Sequence, residues 1–164
     1  MKAYQFAAID IGSNAVRLLV SNVFEDGAKV TYKKQSLVRM PIRLGADAFL
    51  KQHFPEEKVR DFIDTMHAFK HLLNVYRPQK VRALATSAFR EADNGVEIVN
   101  QVYNETGIKI EIVSGKEEAE VVYANGLREN MDVDKTYLYM DVGGGSTELT
   151  LFNKIGRASC RERV

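Results

Sequence analysis

The chain has 164 residues and sets 23 Lys and Arg against 22 Asp and Glu, a net charge of +1 with no polybasic run to suggest nucleic acid and no acidic tail. It is long enough for one ordinary domain with a sizeable core, and it holds no apolar stretch that would span a bilayer. The N-terminus lacks the long apolar region and cleavage site of a signal peptide, so a cytoplasmic location is the expectation.

Residues 6–11, 15–24 and 29–38 are β-prone runs that predict three strands, and Glu25-Asp26-Gly27 is a tight-turn signal that makes a hairpin of the second and third. Residues 39–45 read as a loop, because Pro41 and Gly45 both break regular structure. Pro55-Glu56-Glu57 opens a helix, with proline in the first turn and acids against the positive end of the dipole. Val59, Phe62, Ile63, Met66, Phe69, Leu73 and Tyr76 follow at helical spacing, and Pro78 ends it. His67 and His71 lie four apart on this helix without the glutamate of a zinc motif between them, so they read as a solvated face with no role.

Residues 80–86 predict a short strand, followed by a loop that carries Ser87 and Arg90. A second helix spans 95–106 and ends at Gly107. Residues 108–113 alternate cleanly as a strand, Ser114-Gly115 turns into a third helix over 116–127, and 135–141 form a further strand. Three strands followed by strand–helix alternation predict an α/β domain with a mixed sheet.

Two stretches echo each other. Ala8-Ile9-Asp10-Ile11-Gly12-Ser13-Asn14 leads into Val16–Val20, and Tyr139-Met140-Asp141-Val142-Gly143-Gly144-Gly145-Ser146 leads into Thr147–Leu151. Each reads as strand, glycine-bearing turn, strand, with an Asp at the strand's end. Glycine lets backbone approach a ligand with no Cβ in the way, and successive N–H groups in such a turn form an anion nest. A carboxylate beside a phosphate nest calls for a cation between them, and magnesium suits oxygen ligands.

With Ser114-Gly115-Lys116-Glu117-Glu118-Ala119 and Thr86-Ser87-Ala88-Phe89-Arg90-Glu91-Ala92, these motifs resemble the exopolyphosphatase/guanosine pentaphosphate phosphohydrolase (Ppx/GppA) family, within the superfamily of actin-like ATPases, sugar kinases and Hsp70-type chaperones. The resemblance runs in order from about Phe6 to Phe152. It implies a ribonuclease-H-like (actin-like ATPase) α/β domain with a mixed five-stranded sheet over 1–130, and the opening hairpin of a second, truncated domain over 131–154. Residues 155–164, which hold the single cysteine Cys160, have no place in the pattern and read as the non-native translation of a sequencing adapter.

The resemblance also implies roles. Gly12, Ser13 and Asn14 would bind one phosphate, and Gly143, Gly144, Gly145 and Ser146 the phosphate to be removed. Asp10, Asp141 and Glu148 would hold Mg2+ or another divalent cation. Glu118 would orient and deprotonate the attacking water with support from Glu117, although a bland reading makes both acids simple dipole partners of a helix start. Arg90 would clamp phosphate with its planar fork, and Arg17, Arg39 and Arg43 are weaker candidates for holding a polyanion. The implied reaction is metal-dependent removal of terminal phosphate from inorganic polyphosphate or guanosine pentaphosphate, with a homodimer as an option for a longer protein. The alternatives in the same superfamily are an ATP-dependent sugar or acetate kinase and an actin- or Hsp70-like nucleotide switch.

Overall fold

The computed structural model describes residues 2–27, 29–122, 135–143, 147–152 and 157–162; at Ala119, Val122, Tyr139, Asp141, Glu148, Phe152 and 157–162 only the backbone is described. Strands β1 (Lys2–Ile11), β2 (Val16–Asp26) and β3 (Lys29–Met40) form an antiparallel meander. The period-two alternation decides its faces: Ala7, Ile9, Ile11, Val16, Leu18 and Val20 are buried, while Ala8, Asp10 and Arg17 are exposed. Gly27, at φ 60°, makes the turn between β2 and β3, and Pro41 follows the end of β3.

Helix α1 (Gly45–Lys51) occupies a stretch that the sequence reading leaves without an element, and Gly45 opens it rather than breaking structure. Helix α2 (Glu56–Tyr76) starts directly after Pro55 and turns Phe62, Ile63, Met66, Phe69 and Leu73 onto the sheet. Arg77, in the left-handed conformation, caps it through an N–H bond to Leu73 O, and Pro78 prevents its continuation.

Strand β4 (Lys80–Ala85) runs parallel to β1. The supposed loop after it is a short helix, α3 (Ser87–Glu91), with too few residues to display periodicity. Its Phe89 ring lies between Phe54 and Phe62, at centroid distances of 5.0 and 5.1 Å. Helix α4 (Gly95–Thr106) ends at Gly107 with φ 73°, β5 (Ile110–Ile112) pairs parallel to β4, and α5 (Gly115–Val122) follows. The remainder of the helix predicted over 116–127 lies outside the described residues.

The first sheet has the order β3-β2-β1-β4-β5, which is the mixed five-stranded α/β sheet expected, with helices packed on its apolar face. Strands β6 (Tyr137–Val142), β7 (Thr147–Phe152) and β8 (Arg157–Glu162) form a separate antiparallel sheet in that order. β8 falls in the stretch that the sequence reading sets aside as non-native, and it pairs with the edge of β7, whose N–H and C=O groups accept a backbone partner whatever its side chains. No helix among the described residues is long and apolar enough to cross a membrane.

Candidate functional site

The last residues of the parallel strands, Ile11, Ala85 and Ile112, stand in one register row. Immediately beyond that row come the 12–15 turn, α3 and α5. Open α/β sheets present ligand sites at this C-terminal edge, and the candidate motifs at 10–14, 86–92 and 114–119 converge there because β1, β4 and β5 point the same way.

The first turn is held from within. Gly12 N–H donates to Ala15 O at 3.2 Å, Gly45 N–H to Ser13 O at 2.8 Å and Arg43 N–H to Asn14 O at 3.1 Å. Ser13 is buried, and its hydroxyl lies 3.1 Å from that of Ser87, also buried. The Ser13 hydroxyl therefore faces the protein, and Asn14 is the exposed member of the turn. A Cβ on Gly45 would sit 2.8 Å from Ser13 Cβ, so only glycine allows α1 to begin against this turn.

The two acids of α5 have different partners. Glu117 turns back onto Ser114: its Oε2 accepts from the Ser114 N–H and hydroxyl, both at 2.8 Å, while the Glu117 N–H donates to Ser114 Oγ at 3.2 Å. This is a capping box, in which each residue satisfies the other's orphan donor. These bonds from Ser114, backbone first and hydroxyl second, hold the Glu117 carboxyl below its ordinary value of 4.5, with Arg82 adding a smaller pull. Glu118 instead meets Arg90, whose Nη1 donates to Glu118 Oε2 at 3.1 Å and to Val113 O at 2.7 Å. Arg90 and Glu118 are 14% and 25% exposed, so the pair is shielded enough for its charges to matter. The expected clamp and the expected base are thus in contact.

Asp10 is exposed and bonds Arg17 Nη1 at 2.8 Å, directly across the β1–β2 ladder. Arg39 stands opposite Arg17 on β3, and Arg43 is exposed in the loop that follows. In the second hairpin Asp141 stands opposite Glu148 in register. Gly143 is exposed, and Gly144, Gly145 and Ser146 lie outside the described residues. Among the described residues no group of three or more His, Cys, Asp or Glu could hold a metal. Asp141 and Glu148 occupy directly opposed register positions, and their carboxylates are oxygen donors of the kind that suit a hard divalent cation. His67, expected to have no role, makes a half-exposed surface pair with Glu105 at 2.9 Å.

Sequence reasoning names Ser87 and Gly45 only as loop residues and gives them no part in the site. Their importance depends on Ser13, 74 residues before Ser87, and no local pattern reports such a contact. It also missed the Ser114-x-x-Glu117 capping box, which the sequence does spell out.

The family model for the Ppx/GppA phosphatase family matches residues 28–159. A curated protein of Fusobacterium nucleatum, described as a bifunctional 3-dehydroquinate synthase/phosphatase, is 34% identical over 155 residues, which is 92% of this chain and 23% of that protein. The crystal structure of an exopolyphosphatase from Cytophaga hutchinsonii is similar with TM-score 0.81 and 25% identity, covering 98% of this chain and 50% of that one. That of an Aquifex aeolicus Ppx/GppA family member gives TM-score 0.77 and 25% identity, covering 99% and 51%. The chain therefore spans about half the length of these solved relatives and less of the curated one.

Proposed function

The chain belongs to the Ppx/GppA phosphatase family, and on that premise we propose that its protein is a metal-dependent phosphoanhydride hydrolase that removes terminal phosphate from inorganic polyphosphate or guanosine pentaphosphate. The observation that carries this reading is the 3.1 Å contact between Arg90 and Glu118 at the C-terminal edge of the sheet. A phosphate held by the Arg90 fork lies beside the Glu118 carboxylate, which is where a hydrolase needs the acceptor for a water's proton. The name of the Cytophaga relative, an exopolyphosphatase, supports the substrate class.

Phosphoryl transfer passes through a loose transition state with charge spread over the equatorial oxygens, so positioning and electrostatics supply most of the acceleration. Arg90 provides a fixed positive charge and a planar fork for those oxygens. Glu118 orients the attacking water and takes its proton, which needs no Ser, Cys or His nucleophile. The turn at Gly12, Ser13 and Asn14 and the loop at Gly143, Gly144, Gly145 and Ser146 cradle phosphates from the two hairpins. Asp141 and Glu148, with Asp10 as a further carboxylate, would hold Mg2+ or a similar cation, which when bound neutralises phosphate charge. The β6–β7 hairpin then opens a second domain that forms the other wall of the cleft.

The test follows magnesium-dependent phosphate release from polyphosphate, guanosine pentaphosphate and ATP by the natural gene product that contains this chain. Release from one of the first two, reduced about 10²- to 10⁴-fold in Glu118→Gln, is the expected result. Release untouched by that substitution removes Glu118 from the mechanism. Tight ATP binding without release from the other two substrates points to a kinase or nucleotide switch instead.

A further inference from the structure

One buried contact joins the two halves of the candidate site. The Ser13 and Ser87 hydroxyls meet at 3.1 Å, with the residues 6% and 5% exposed. Ser87 is the first residue of α3, and Arg90 lies three residues on, so both project from adjacent turns of one short helix. The remaining attachments of α3 make it a rigid strut rather than a loose loop. Phe89 is wedged between Phe54 and Phe62, Thr86 N–H donates to Ile11 O at 3.1 Å, and Arg90 is fixed on Val113 O and Glu118.

We propose that Ser87 is a positioning residue, whose hydroxyl sets the Gly12–Asn14 phosphate turn at a fixed distance from Arg90 and Glu118. The inference rests on the hydrolase reading above and extends it to a residue that touches neither phosphate nor water. A serine pair suits this task. Each hydroxyl both donates and accepts, so the link survives whichever of the two supplies the proton. Buried as they are, neither hydroxyl has water as an easy substitute, so loss of one leaves the other's hydrogen-bonding capacity unmet. Gly45 holds the same residue through its backbone, with its N–H on Ser13 O at 2.8 Å, so both α1 and α3 fasten the turn at Ser13.

Two measurements test the assignment. In the natural gene product, kcat/KM for inorganic triphosphate with magnesium is compared among wild type, Ser87→Ala, Ser13→Ala and the double variant, with folded fraction checked by thermal unfolding. Either single substitution is expected to lower kcat/KM about tenfold, as loss of an orienting partner does elsewhere, and the double to lower it no further. Ser87→Cys, close in size but a weak hydrogen-bonder, is expected to fall with Ser87→Ala should the alanine variant fold poorly. Losses that add, or a Ser87→Ala that lowers only the melting temperature, overturn the proposal while leaving hydrolysis in place. Wild type that releases no phosphate from triphosphate, longer polyphosphate or guanosine pentaphosphate overturns the hydrolase reading and this inference with it. The geometric half needs no substrate: in the 164-residue chain, Ser87→Ala is expected to shift the amide resonances of Gly12, Ser13 and Asn14 together with the Arg90 side-chain Nε–H. An unmoved Arg90 resonance contradicts the strut.

Discussion

In the β1–β2 hairpin Ile11 pairs with Val16 across the turn at 12–15, and in the β6–β7 hairpin Val142 pairs with Thr147 across 143–146. One step back from each turn stands an Asp: Asp10 opposite Arg17, and Asp141 opposite Glu148. Turn length and register are the same, but the partner's charge is reversed. The first hairpin carries its own counter-ion, at 2.8 Å, and its turn is further secured by buried Ser13. The second places acid against acid, an arrangement that cross-strand energetics disfavour unless a cation intervenes. The same backbone device therefore carries its own counter-ion in the first case and two opposed acids in the second, and it is to the second pair that the proposed mechanism gives a cation.

The strongest way to break this comparison is to make the second hairpin resemble the first. Glu148→Arg supplies an internal counter-ion, and magnesium-dependent phosphate release by the natural gene product is expected to fall at least about 10²-fold. Release that persists would remove Glu148 from the cation site. A smaller effect is expected where the first turn is gripped. Gly45→Ala forces a methyl to 2.8 Å from Ser13 Cβ, and overpacking of this kind costs about 1–3 kcal/mol, readable in chemical denaturation. An unchanged unfolding midpoint would mean that α1 does not brace the turn.

The reverse conversion, Arg17→Glu, makes the first hairpin resemble the second. An exposed pair contributes at most about 1 kcal/mol, so the melting temperature should drop by no more than about 4 °C. Added magnesium should recover part of that loss. Absence of any recovery would weaken the argument that opposed acids at this register position recruit a cation.

The smallest effect concerns the cap of α5. Because the Glu117 carboxyl is held below its ordinary 4.5 in the folded chain, it contributes stability that is present above that value and lost as the pH falls through the lowered one. Amide resonances of Ser114 and Glu117 should therefore report fraying of the helix start in acid, with a midpoint below 4.5. Glu117→Gln should abolish the transition.

Much of the scaffold is legible in the sequence because it is built from long, regular patterns. The alternation of Ala7, Ile9 and Ile11 and the stripe from Phe62 to Leu73 each bury one face, and period alone identifies them. Helices α1 and α3 span only 7 and 5 residues, so a periodic signal has no room to develop. The neighbourhood of the site was legible too, through the residue types after β1, β4 and β5. Its inner wiring was not. The inward turn of Ser13 depends on Ser87 and Gly45, which are distant in the chain. The division of labour between Glu117 and Glu118 follows from Ser114 capping one and Arg90 meeting the other.

The most direct measurement of the central claim is a single-turnover reaction of the natural gene product with polyphosphate in oxygen-labelled water. Attack by a Glu118-oriented water on the terminal phosphorus predicts that the label appears in the released phosphate, and that its appearance is slowed about 10²- to 10⁴-fold by Glu118→Gln. Label in the remaining chain, or labelling at an unchanged rate in that variant, would contradict the account.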